Sequence, residues 1–506
     1  MPAKPLDVLV VGGGIGGLAL AQALLPSGAN VQVYEREHDA ADWVRGYRIH
    51  LNQVGSRALH RCLPGPLWEA FLATSGHPGP GFGFHTHRLR ELVFVEESVM
   101  TGGAADPSDG QYAVSRTTLR RLLLAGLEGV VHHGRTFQRY EVRPDGRIVA
   151  FFADGTSATG DVLVGADGAN SRVRGQYLPR ARRADTGALA IGARLPLDDR
   201  VRGWLPGNLA DGLNLILPPS GSAMFTAAFN GRRRAESLLA RRTGPDPARE
   251  TGSAAGADPA CETGSAGADP ARETRSAAGG TGRATREGDP ADPGTGLAAF
   301  GLDLRSLADD LQDYVLWAFV APRGTYPAGA ADLDGDGLKE LAGTMTSGWH
   351  PALRRLVAEA DPASVQLMPF KTSVPVGRWP ATPVTLLGDA IHSMTPAMGF
   401  GANTALRDAV LLASRLTAFQ RGRGTLTGAI GDYETRMRGY GFGAVRTSAR
   451  FAEFMISGSP LVRRGAMSWF RLCAALPPVK RMSFGRLWTG DAPGETAPAG
   501  ETAARP

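Results

Sequence analysis

The chain has 506 residues with 55 Lys and Arg against 49 Asp and Glu, and its net charge of +6 is mild for that length, so it gives no argument for nucleic-acid binding. The length allows two or three domains, while three scattered cysteines without CxxC spacing favour neither a disulfide framework nor a zinc site. No apolar run approaches the roughly 20 residues of a membrane span, so a cytoplasmic protein is expected. No metal site is expected, and the protein is expected to be a monomer or a homodimer.

A glycine-rich turn follows the first predicted strand. The strand runs from Asp7 to Val11, and glycines follow with GxGxxG spacing at Gly12, Gly14 and Gly17 before a predicted helix, Leu18 to Leu25. In such a unit the second glycine lets a pyrophosphate approach the backbone, and the phosphates bind free N–H groups at the helix N-terminus. The pattern indicates a dinucleotide-binding βαβ unit rather than a secretory signal, because five glycines interrupt the apolar run.

The second strand of this unit, Asn30 to Tyr34, ends at Glu35, which lies 23 residues after the first glycine of the turn. An acid at this place can hold a ribose 2′-hydroxyl. A short strand or extended loop over residues 45–51 follows and contains Arg45 and Arg48. A solvated surface charge explains either arginine as well as a binding role does.

Periodicity predicts the next elements. Ser115 is the expected N-cap of the second helix among them. In chain order they are a helix, a β-hairpin, a second helix and three strands: Gln53 to Cys62, residues 77–110, Val114 to Leu127, Val130 to His132, Tyr140 to Val142 and Ile148 to Phe152.

A second strand-to-helix turn carries an acid. The apolar run Asp161 to Gly165 leads into Ala166-Asp167-Gly168, and a helix is predicted after Ser171. Taken alone, Asp167 is explained by a helix N-cap as well as by a binding role.

The middle of the chain changes to period-2 segments, which predict an antiparallel sheet. A stretch over about 232–296 interrupts this sheet and contains three near-copies of one hexapeptide. The stretch has few large apolar residues and cannot bury a core, so a disordered loop is expected there. The predicted strands are Leu189 to Leu197, Leu213 to Leu217, Ala223 to Phe229 and Tyr314 to Val320.

A third strand ends at Gly388-Asp389, followed by a loop with Pro396 and a long helix through about Ala418. An acid at a strand end can accept a hydrogen bond from a ribitol or ribose hydroxyl. The backbone N–H groups of Gly399 to Asn403 can face a ring system. After this helix, residues 436–488 carry ten basic residues and one acidic residue, which indicates a helical layer packed on the nucleotide domain or a membrane-surface or partner helix.

These three motifs, in this order, resemble the group A flavoprotein monooxygenases, the p-hydroxybenzoate hydroxylase-like class. The matching segments are the nucleotide fingerprint at 12–17, the "DG" motif at 165–174, and the "GD" motif at 388–396 with 399–403. The resemblance spans about residues 6 to 440, apart from the interrupting stretch.

The resemblance implies an α/β fold with a Rossmann-like FAD-binding (GR2-type) domain, a second antiparallel-sheet substrate domain and a helical C-terminal region. The implied division is a discontinuous FAD-binding domain (1–74, 111–178 and 381–440), a substrate domain (75–110 and 179–380), a disordered insertion (231–298), a basic helical C-terminal region (441–488) and a disordered tail (489–506).

The resemblance also implies residue roles. Glu35 would bind the adenosine ribose, Arg116 would reach the FAD phosphates, and Asp167 belongs to a motif associated with both FAD and NAD(P)H. Asp389 would bind the ribitol or pyrophosphate side, and the loop from Pro396 to Asn403 would flank the isoalloxazine ring. The full set expected to bind the cofactor is Gly12, Gly14, Ile15, Gly16, Gly17, Glu35, Arg36, Arg45, Gly46, Arg116, Asp167, Asp389, Pro396, Gly399, Gly401, Ala402 and Asn403.

Two arginines are the catalytic candidates by the same resemblance. Arg45 lies beside the first loop over the flavin, and Arg194 lies on the first substrate-domain strand, where relatives often place an arginine near the substrate. The family often has Gly-Ala-Gly-Ile where this chain has Gly46-Tyr47-Arg48-Ile49. That departure places a bulky and a charged side chain near the flavin loop.

The implied activity is that of a single-component monooxygenase of secondary metabolism. NAD(P)H would bind transiently and reduce FAD, and O2 would then give a flavin C4a-hydroperoxide that hydroxylates or epoxidises a bulky apolar or aromatic small molecule. A flavin-dependent reductase of the geranylgeranyl-reductase type stays an alternative, because the basic C-terminal region, with a weak membrane-surface contact, would suit a lipid-like substrate. A flavin-binding sensor is the non-enzyme alternative, and a flavin halogenase is disfavoured because no lysine lies between Lys4 and Lys339.

Overall fold

The computed structural model describes residues 5–38, 48–77, 79–103, 106–243 and 293–485. The strands within these ranges are β1 Asp7–Val11, β2 Asn30–Tyr34, β3 Ile49–Leu51, β4 Gly81–Thr86, β5 Glu91–Glu96, β6 Tyr112–Val114, β7 Val131–His132, β8 Phe137–Val142, β9 Ile148–Phe152, β10 Ser157–Gly160, β11 Val162–Gly165, β12 Arg183–Pro196, β13 Leu213–Leu217, β14 Ala223–Phe229, β15 Tyr314–Pro322, β16 Gln366–Ser373 and β17 Val384–Leu386.

The α-helices within the same ranges are α1 Ile15–Leu24, α2 Gln53–Cys62, α3 Gly65–Thr74, α4 Glu97–Thr101, α5 Arg116–Leu124, α6 Arg172–Tyr177, α7 Asp199–Arg202, α8 Gly207–Asp211, α9 Gly231–Thr243, α10 Pro293–Ala298, α11 Leu304–Asp309, α12 Gly335–Met345, α13 Pro351–Ala358, α14 Asp389–His392, α15 Phe400–Gln420, α16 Leu426–Ile456, α17 Pro460–Ala475 and α18 Pro477–Phe484.

A five-stranded parallel sheet with the order β17-β11-β1-β2-β7 forms the nucleotide-binding half. Parallel sheets are buried on both faces, which explains why β1, β11 and β17 read as continuous apolar runs. From β1 the chain adds β2 on one side and β11 on the other, so the strand order reverses at β1. Ligands of such sheets bind at this reversal, beyond the carboxyl ends of the strands. The predicted βαβ unit is confirmed, although α1 begins at Ile15 and not at Leu18.

A seven-stranded sheet with the order β16-β12-β15-β14-β13-β4-β5 forms the second half. Its strand pairs are antiparallel as predicted, except that β13 runs parallel to β4, a strand more than 100 residues earlier in the chain. The side chains of β12 alternate between two apolar cores. Leu189, Ile191 and Ala193 join the core that α12 and α13 cover, whereas Ala188 and Ala190 face the opposite core.

Two smaller sheets complete the described fold. The strands β8, β9 and β10 form an antiparallel meander, and the short strands β3 and β6 pair antiparallel, with Ile49 opposite Val114. The hairpin expected within 77–110 is the pair β4–β5. The helix that Ser115 caps is α5, which ends at Leu124, three residues before its predicted end.

The C-terminal helices correct two expectations. The helix α16 runs without a break from Leu426 to Ile456, so the predicted boundary between residues 440 and 441 falls inside one helix. Of the region 436–488, Met437, Tyr440 and Val445 on α16 join the core of the nucleotide-binding half as expected. The helices α17 and α18 instead pack on the outer strands of the seven-stranded sheet, with the rings of Phe470 and Phe484 tilted against that of Phe84. An amphipathic helix shows in its sequence that it has an apolar face, but not which surface receives that face.

Several large apolar side chains of α17 and α18 are exposed, among them Leu461, Val462, Trp469 and Met482. Within the described residues, no helix combines the length and the apolar character that crossing a membrane requires. The weak membrane-surface contact expected for this region stays a prediction.

The disordered insertion was predicted too wide. Residues 231–243 and 293–298 are the helices α9 and α10, and both contribute buried apolar side chains, Ala235 and Leu297. The isolated apolar residues at both ends of the repetitive stretch are therefore core residues. The remainder of the stretch, 244–292, and the predicted tail lie outside the described residues.

Candidate functional site

The turn after β1 depends on two glycines for its own geometry. Gly12 has φ = +108°, and a Cβ there would overlap the carbonyl group of Ala166. A Cβ on Gly17 would overlap the carbonyl oxygen of Gly12. The neighbouring Gly16 also has no room for a side chain, because a Cβ there would lie 2.6 Å from Leu387 Cδ1. Gly12 and Gly17 let α1 and the segment after β11 approach the turn closely, and Gly16 lets α1 approach Leu387.

Gly14 differs from its neighbours. Its φ of −74° is accessible to any residue, and a Cβ there would meet nothing within 4 Å. It is the N-cap residue of α1, and no side chain caps this helix N-terminus. The space in front of Gly14 is thus open and faces free backbone N–H groups, which fits a phosphate group of the expected cofactor.

Glu35 lies beside this open space. It is buried, its Oε2 accepts a 2.7 Å hydrogen bond from the backbone N–H of Gly13, and its Oε1 accepts one of 3.1 Å from the N–H of Glu37. Arg120 on α5 pairs with both acids, at 3.4 Å from Glu35 Oε2 and 3.3 Å from Glu37 Oε2. These contacts hold the carboxylate at the carboxyl end of β2, where the sequence predicts a ribose contact.

The sequence reasoning missed Arg120. Arg120 lies one helical turn after Arg116, the arginine that the sequence predicts to reach the FAD phosphates. The spacing of four residues could have identified Arg120 as a candidate on the same face of the helix. Arg116 is exposed in the first turn of α5, and Arg36 is exposed after β2. The roles expected for these two arginines stay predictions.

Asp167 acts as a second cap at the start of α6. Its Oδ2 accepts hydrogen bonds from the backbone N–H groups of Arg172 (2.7 Å) and Val173 (3.3 Å), and its Oδ1 accepts a 2.5 Å hydrogen bond from the Ser171 hydroxyl. The contacts of Asp167 are therefore those of a helix cap. A contact with the cofactor stays a prediction.

The third motif forms a tight turn at the carboxyl end of β17. Gly388 has φ = +61°, and the next residue, Asp389, is exposed. Asp389 Oδ1 lies 3.8 Å from the point where a Cβ on Gly401 would sit, beside the N-terminus of α15. This helix starts after Gly399 without a side-chain cap. A second free helix N-terminus with an adjacent acid thus faces the same edge of the parallel sheet.

The side chain of Asn403 is hydrogen-bonded within the protein, while the cofactor contact expected for the Asn403 backbone stays a prediction. Its Oδ1 accepts a 2.9 Å hydrogen bond from the N–H of Asn52, and its Nδ2 donates 2.8 Å hydrogen bonds to the carbonyl oxygens of His50 and Gly399. The amide side chain therefore joins the start of α2 to the start of α15 and is not free to bind a ligand. Its sequence neighbours gave no indication of these distant partners.

A buried polar cluster supports the turn at Gly388 from behind. Asp408 Oδ2 lies 2.6 Å from His392 Nε2 and accepts a 2.8 Å hydrogen bond from the N–H of Gly388, while its Oδ1 accepts a 2.6 Å hydrogen bond from Tyr440. Burial lowers the pKa of His392, but the charge of Asp408 and the hydrogen bond to it together raise that pKa by more than burial lowers it. The pKa of His392 is therefore above its ordinary value. The cluster fixes the backbone that presents Asp389.

A second buried acid lies next to this cluster. Glu434 on α16 accepts hydrogen bonds from Thr385 (2.9 Å) and Tyr177 (3.3 Å). Burial raises the pKa of Glu434 from its ordinary 4.5 to about 7. Because the folded state holds this proton more tightly than the unfolded state, the stabilisation is complete below pH 4.5 and is lost as the pH rises to 7.

We expect Glu434→Gln to flatten this pH dependence. Each pKa unit corresponds to about 1.4 kcal/mol, so the unfolding free energy of the wild type should fall by about 3 kcal/mol relative to the variant over this pH range. Urea unfolding at several pH values measures the difference, with exposed Glu340→Gln as the control. Parallel curves for the wild type and Glu434→Gln would contradict the assignment.

A cavity of about 180 Å³ lies between the seven-stranded sheet and the loop that precedes α15. Its walls come from β12 to β16, and Pro396 to Gly399 and Met455 close it. Of the described residues that line it, only Arg48 and His50 have ionisable side chains. Burial first, and then the charge of Arg48, lower the pKa of His50 to about 3, so its imidazole is neutral at pH 7.

Only one of the two arginines predicted to be catalytic lies within the described residues. Arg45 and Gly46 lie outside the described residues. Arg194 does not line the cavity, and its guanidinium carbon lies 5.5 Å from the centre of the Tyr314 ring. Arg48 does line it, although the sequence allowed a solvated position equally well. The departure from the family's glycine at this position was the signal that could have selected it.

Two family models match the chain. An FAD binding domain matches residues 344–445, and an NAD(P)-binding Rossmann-like domain matches residues 10–74. A crystal structure of a protein described as an FAD-containing monooxygenase, from Photorhabdus luminescens subsp. laumondii TTO1, is 31% identical with a TM-score of 0.69, and the alignment covers 89% of this chain and 98% of that one.

Two curated relatives match over different lengths. The dual O-methyltransferase/FAD-dependent monooxygenase CTB3 of Cercospora beticola is 27% identical over 447 residues, which is 85% of this chain and 44% of that protein. The 3-amino-4-hydroxybenzoate 2-monooxygenase PtnB3 of Streptomyces platensis is 36% identical over 170 residues, which is 33% of this chain and 40% of that protein. The chain thus spans less than half the length of these curated relatives.

Proposed function

Because the chain belongs to the FAD-dependent monooxygenases of the p-hydroxybenzoate hydroxylase type, we propose that it uses FAD, NAD(P)H and O2 to hydroxylate or epoxidise an apolar or aromatic small molecule. The observation that carries the proposal is the apolar cavity between the seven-stranded sheet and the loop Pro396 to Gly399. A substrate there would lie next to the segment that is expected to flank the flavin ring.

The residues at the carboxyl edge of the parallel sheet fit FAD. The open space at Gly14 and the N-terminus of α1 would receive a phosphate, Glu35 would accept from the adenosine ribose, and Asp389 would accept from the ribitol chain. The N-terminus of α15 would face the ring system. When bound, FAD supplies the electron transfer from NAD(P)H and the activation of O2.

The chain's own contribution to the reaction is placement and exclusion of water. The cavity walls are mostly apolar, and apolar walls limit the access of water, which would otherwise divert a reactive oxygen species. An engineered cavity of about 150 Å³ holds one benzene ring. A cavity of about 180 Å³ thus supports a substrate whose reacting part is one substituted ring or a small fused pair. The aromatic substrate in the name of the Streptomyces relative supports the same class.

The test is the origin of the oxygen in the product. Hydroxylated benzoates and naphthols that stimulate NAD(P)H oxidation by the FAD-loaded protein are incubated under ¹⁸O2 and, separately, in H2¹⁸O. We expect label in the product from O2 and none from water. A product that forms without O2 and carries two additional hydrogens would contradict the proposal and support the reductase alternative.

A further inference from the structure

Arg48 is a buried arginine with incomplete pairing. Its side chain is 8% exposed, and its Nη1 donates to the carbonyl oxygen of Ala228 on β14. Its Nη2 is buried and has no hydrogen-bond partner among the described residues. The cation is thus anchored on one side, and the hydrogen-bonding capacity of its second nitrogen is unused among the described residues.

No acid compensates this charge in the cavity. The described lining residues include no Asp or Glu, and His50 is neutral for the reasons given above. Burial lowers the pKa of Arg48 to about 10, so the guanidinium still carries its charge at pH 7. A buried cation without a counter-ion is unfavourable, and a bound anion removes that penalty.

Apart from the neutral imidazole of His50, the remaining side chains of the walls are apolar. Phe225, Leu316 and Phe370 from three strands line the cavity together with three methionines, Met368, Met398 and Met455. Methionine adapts to ligands of different outline, so these walls select for apolar surface and not for one detailed shape. Among the described lining residues, Arg48 therefore carries the one charge of the cavity.

We propose that Arg48 determines substrate specificity by pairing its Nη2 with an anionic oxygen, a carboxylate, phenolate or enolate, on an otherwise apolar aromatic substrate. The inference rests on the proposed function in calling the bound anion a substrate. The binding of that anion can be measured without turnover. Arg194 cannot take this part in the described arrangement, because it lies outside the cavity over Tyr314.

Binding to the FAD-loaded protein, measured by isothermal titration calorimetry, tests the inference. The probes are 2-naphthoate and 2-naphthamide, which share a planar outline but differ in charge. A hydrogen bond to a charged partner predicts a preference for the carboxylate of roughly ten- to a hundredfold in the wild type. In Arg48→Met the preference should disappear while the amide still binds, and Arg48→Lys should retain part of the preference.

Arg355→Met provides the control for net charge, because Arg355 stacks on Trp204 away from the cavity. It should keep the wild-type preference. Equal binding of both probes to the wild type, or a preference that survives in Arg48→Met, would overturn the inference. Loss of FAD in Arg48→Met with an unchanged preference after reloading would overturn it as well, since Arg48 would then hold the cofactor.

A second measurement needs no variant. The affinity of the wild type for 4-nitrophenol should rise as the phenol ionises near neutral pH, whereas the affinity for nitrobenzene should stay constant. The same pH dependence for both compounds contradicts the inference. If an Arg48-dependent preference for anions is present but no oxygen from O2 enters any product, the proposed function fails and the binding assignment stands.

Discussion

Replacing Gly14 by Val is expected to remove FAD from the protein while leaving the fold intact. The backbone of Gly14 is extended, with φ = −74°, and a Cβ there would meet no protein atom within 4 Å. The isopropyl group would instead occupy the space in front of the N-terminus of α1. Each lost hydrogen bond to a charged phosphate is worth about 1.5–3 kcal/mol, so FAD affinity should fall on the order of a hundredfold.

Purified Gly14→Val protein should therefore be colourless, with an apoprotein unfolding midpoint close to that of the wild type. Gly343→Val is the matched control, because a Cβ on Gly343 would also meet nothing within 4 Å, but this glycine lies on α12, far along the chain from the parallel sheet. Full FAD occupancy in folded Gly14→Val would show that the cofactor does not approach this turn.

Replacing Asp408 by Asn should give the largest loss of stability. The carboxylate of Asp408 accepts from His392, Tyr440 and Gly388, and all of these groups are buried. An amide has one acceptor oxygen, so at least one donor loses its partner and the buried His392 loses its counter-ion. Breaking a buried pair in this way costs about 3–5 kcal/mol.

Denaturant unfolding of the apoprotein measures this loss without the contribution of bound FAD. Exposed Asp432→Asn on α16 should change the stability by less than about 0.5 kcal/mol. The double variant Asp408→Asn with His392→Asn should be less destabilised than the sum of the single variants, since the two side chains are coupled. Additive losses would show that the pair does not act as a unit.

The sequence predicted those parts of the molecule in which local pattern and backbone geometry coincide. The apolar run before Gly12 and the acid after Tyr34 fixed a βαβ unit, and the parallel sheet confirms it. The sequence also predicted the ends of the strands that precede Asp167 and Asp389. In the structure these two parallel strands present their carboxyl ends at one edge of the sheet. Backbone requirements of this kind are visible within a few neighbouring residues.

Features that depend on distant partners were not predictable in the same way. The sequence predicts that the backbone N–H of Asn403 faces the cofactor ring, but it did not predict that the Asn403 side chain bonds to His50 and Asn52, about 350 residues earlier in the chain. Whether Arg48 is solvated or buried depends on its contact with Ala228, 180 residues later. A residue's own neighbours do not specify such partners, so the sequence could name the candidates but not separate them.

The continuity of α16 limits how this protein can be recombined with its relatives. Ile430, Met437 and Val445 of this helix belong to the core of the parallel sheet, while Ala452 and Met455 belong to the core under the seven-stranded sheet, and Met455 also lines the cavity. A crossover within α16 would join half of one core to a foreign half of the other. Chimaeras that exchange the substrate-binding half must therefore carry Leu426 to Ile456 as one block or re-match both of its faces, and the cavity end of that block will travel with the nucleotide-binding end.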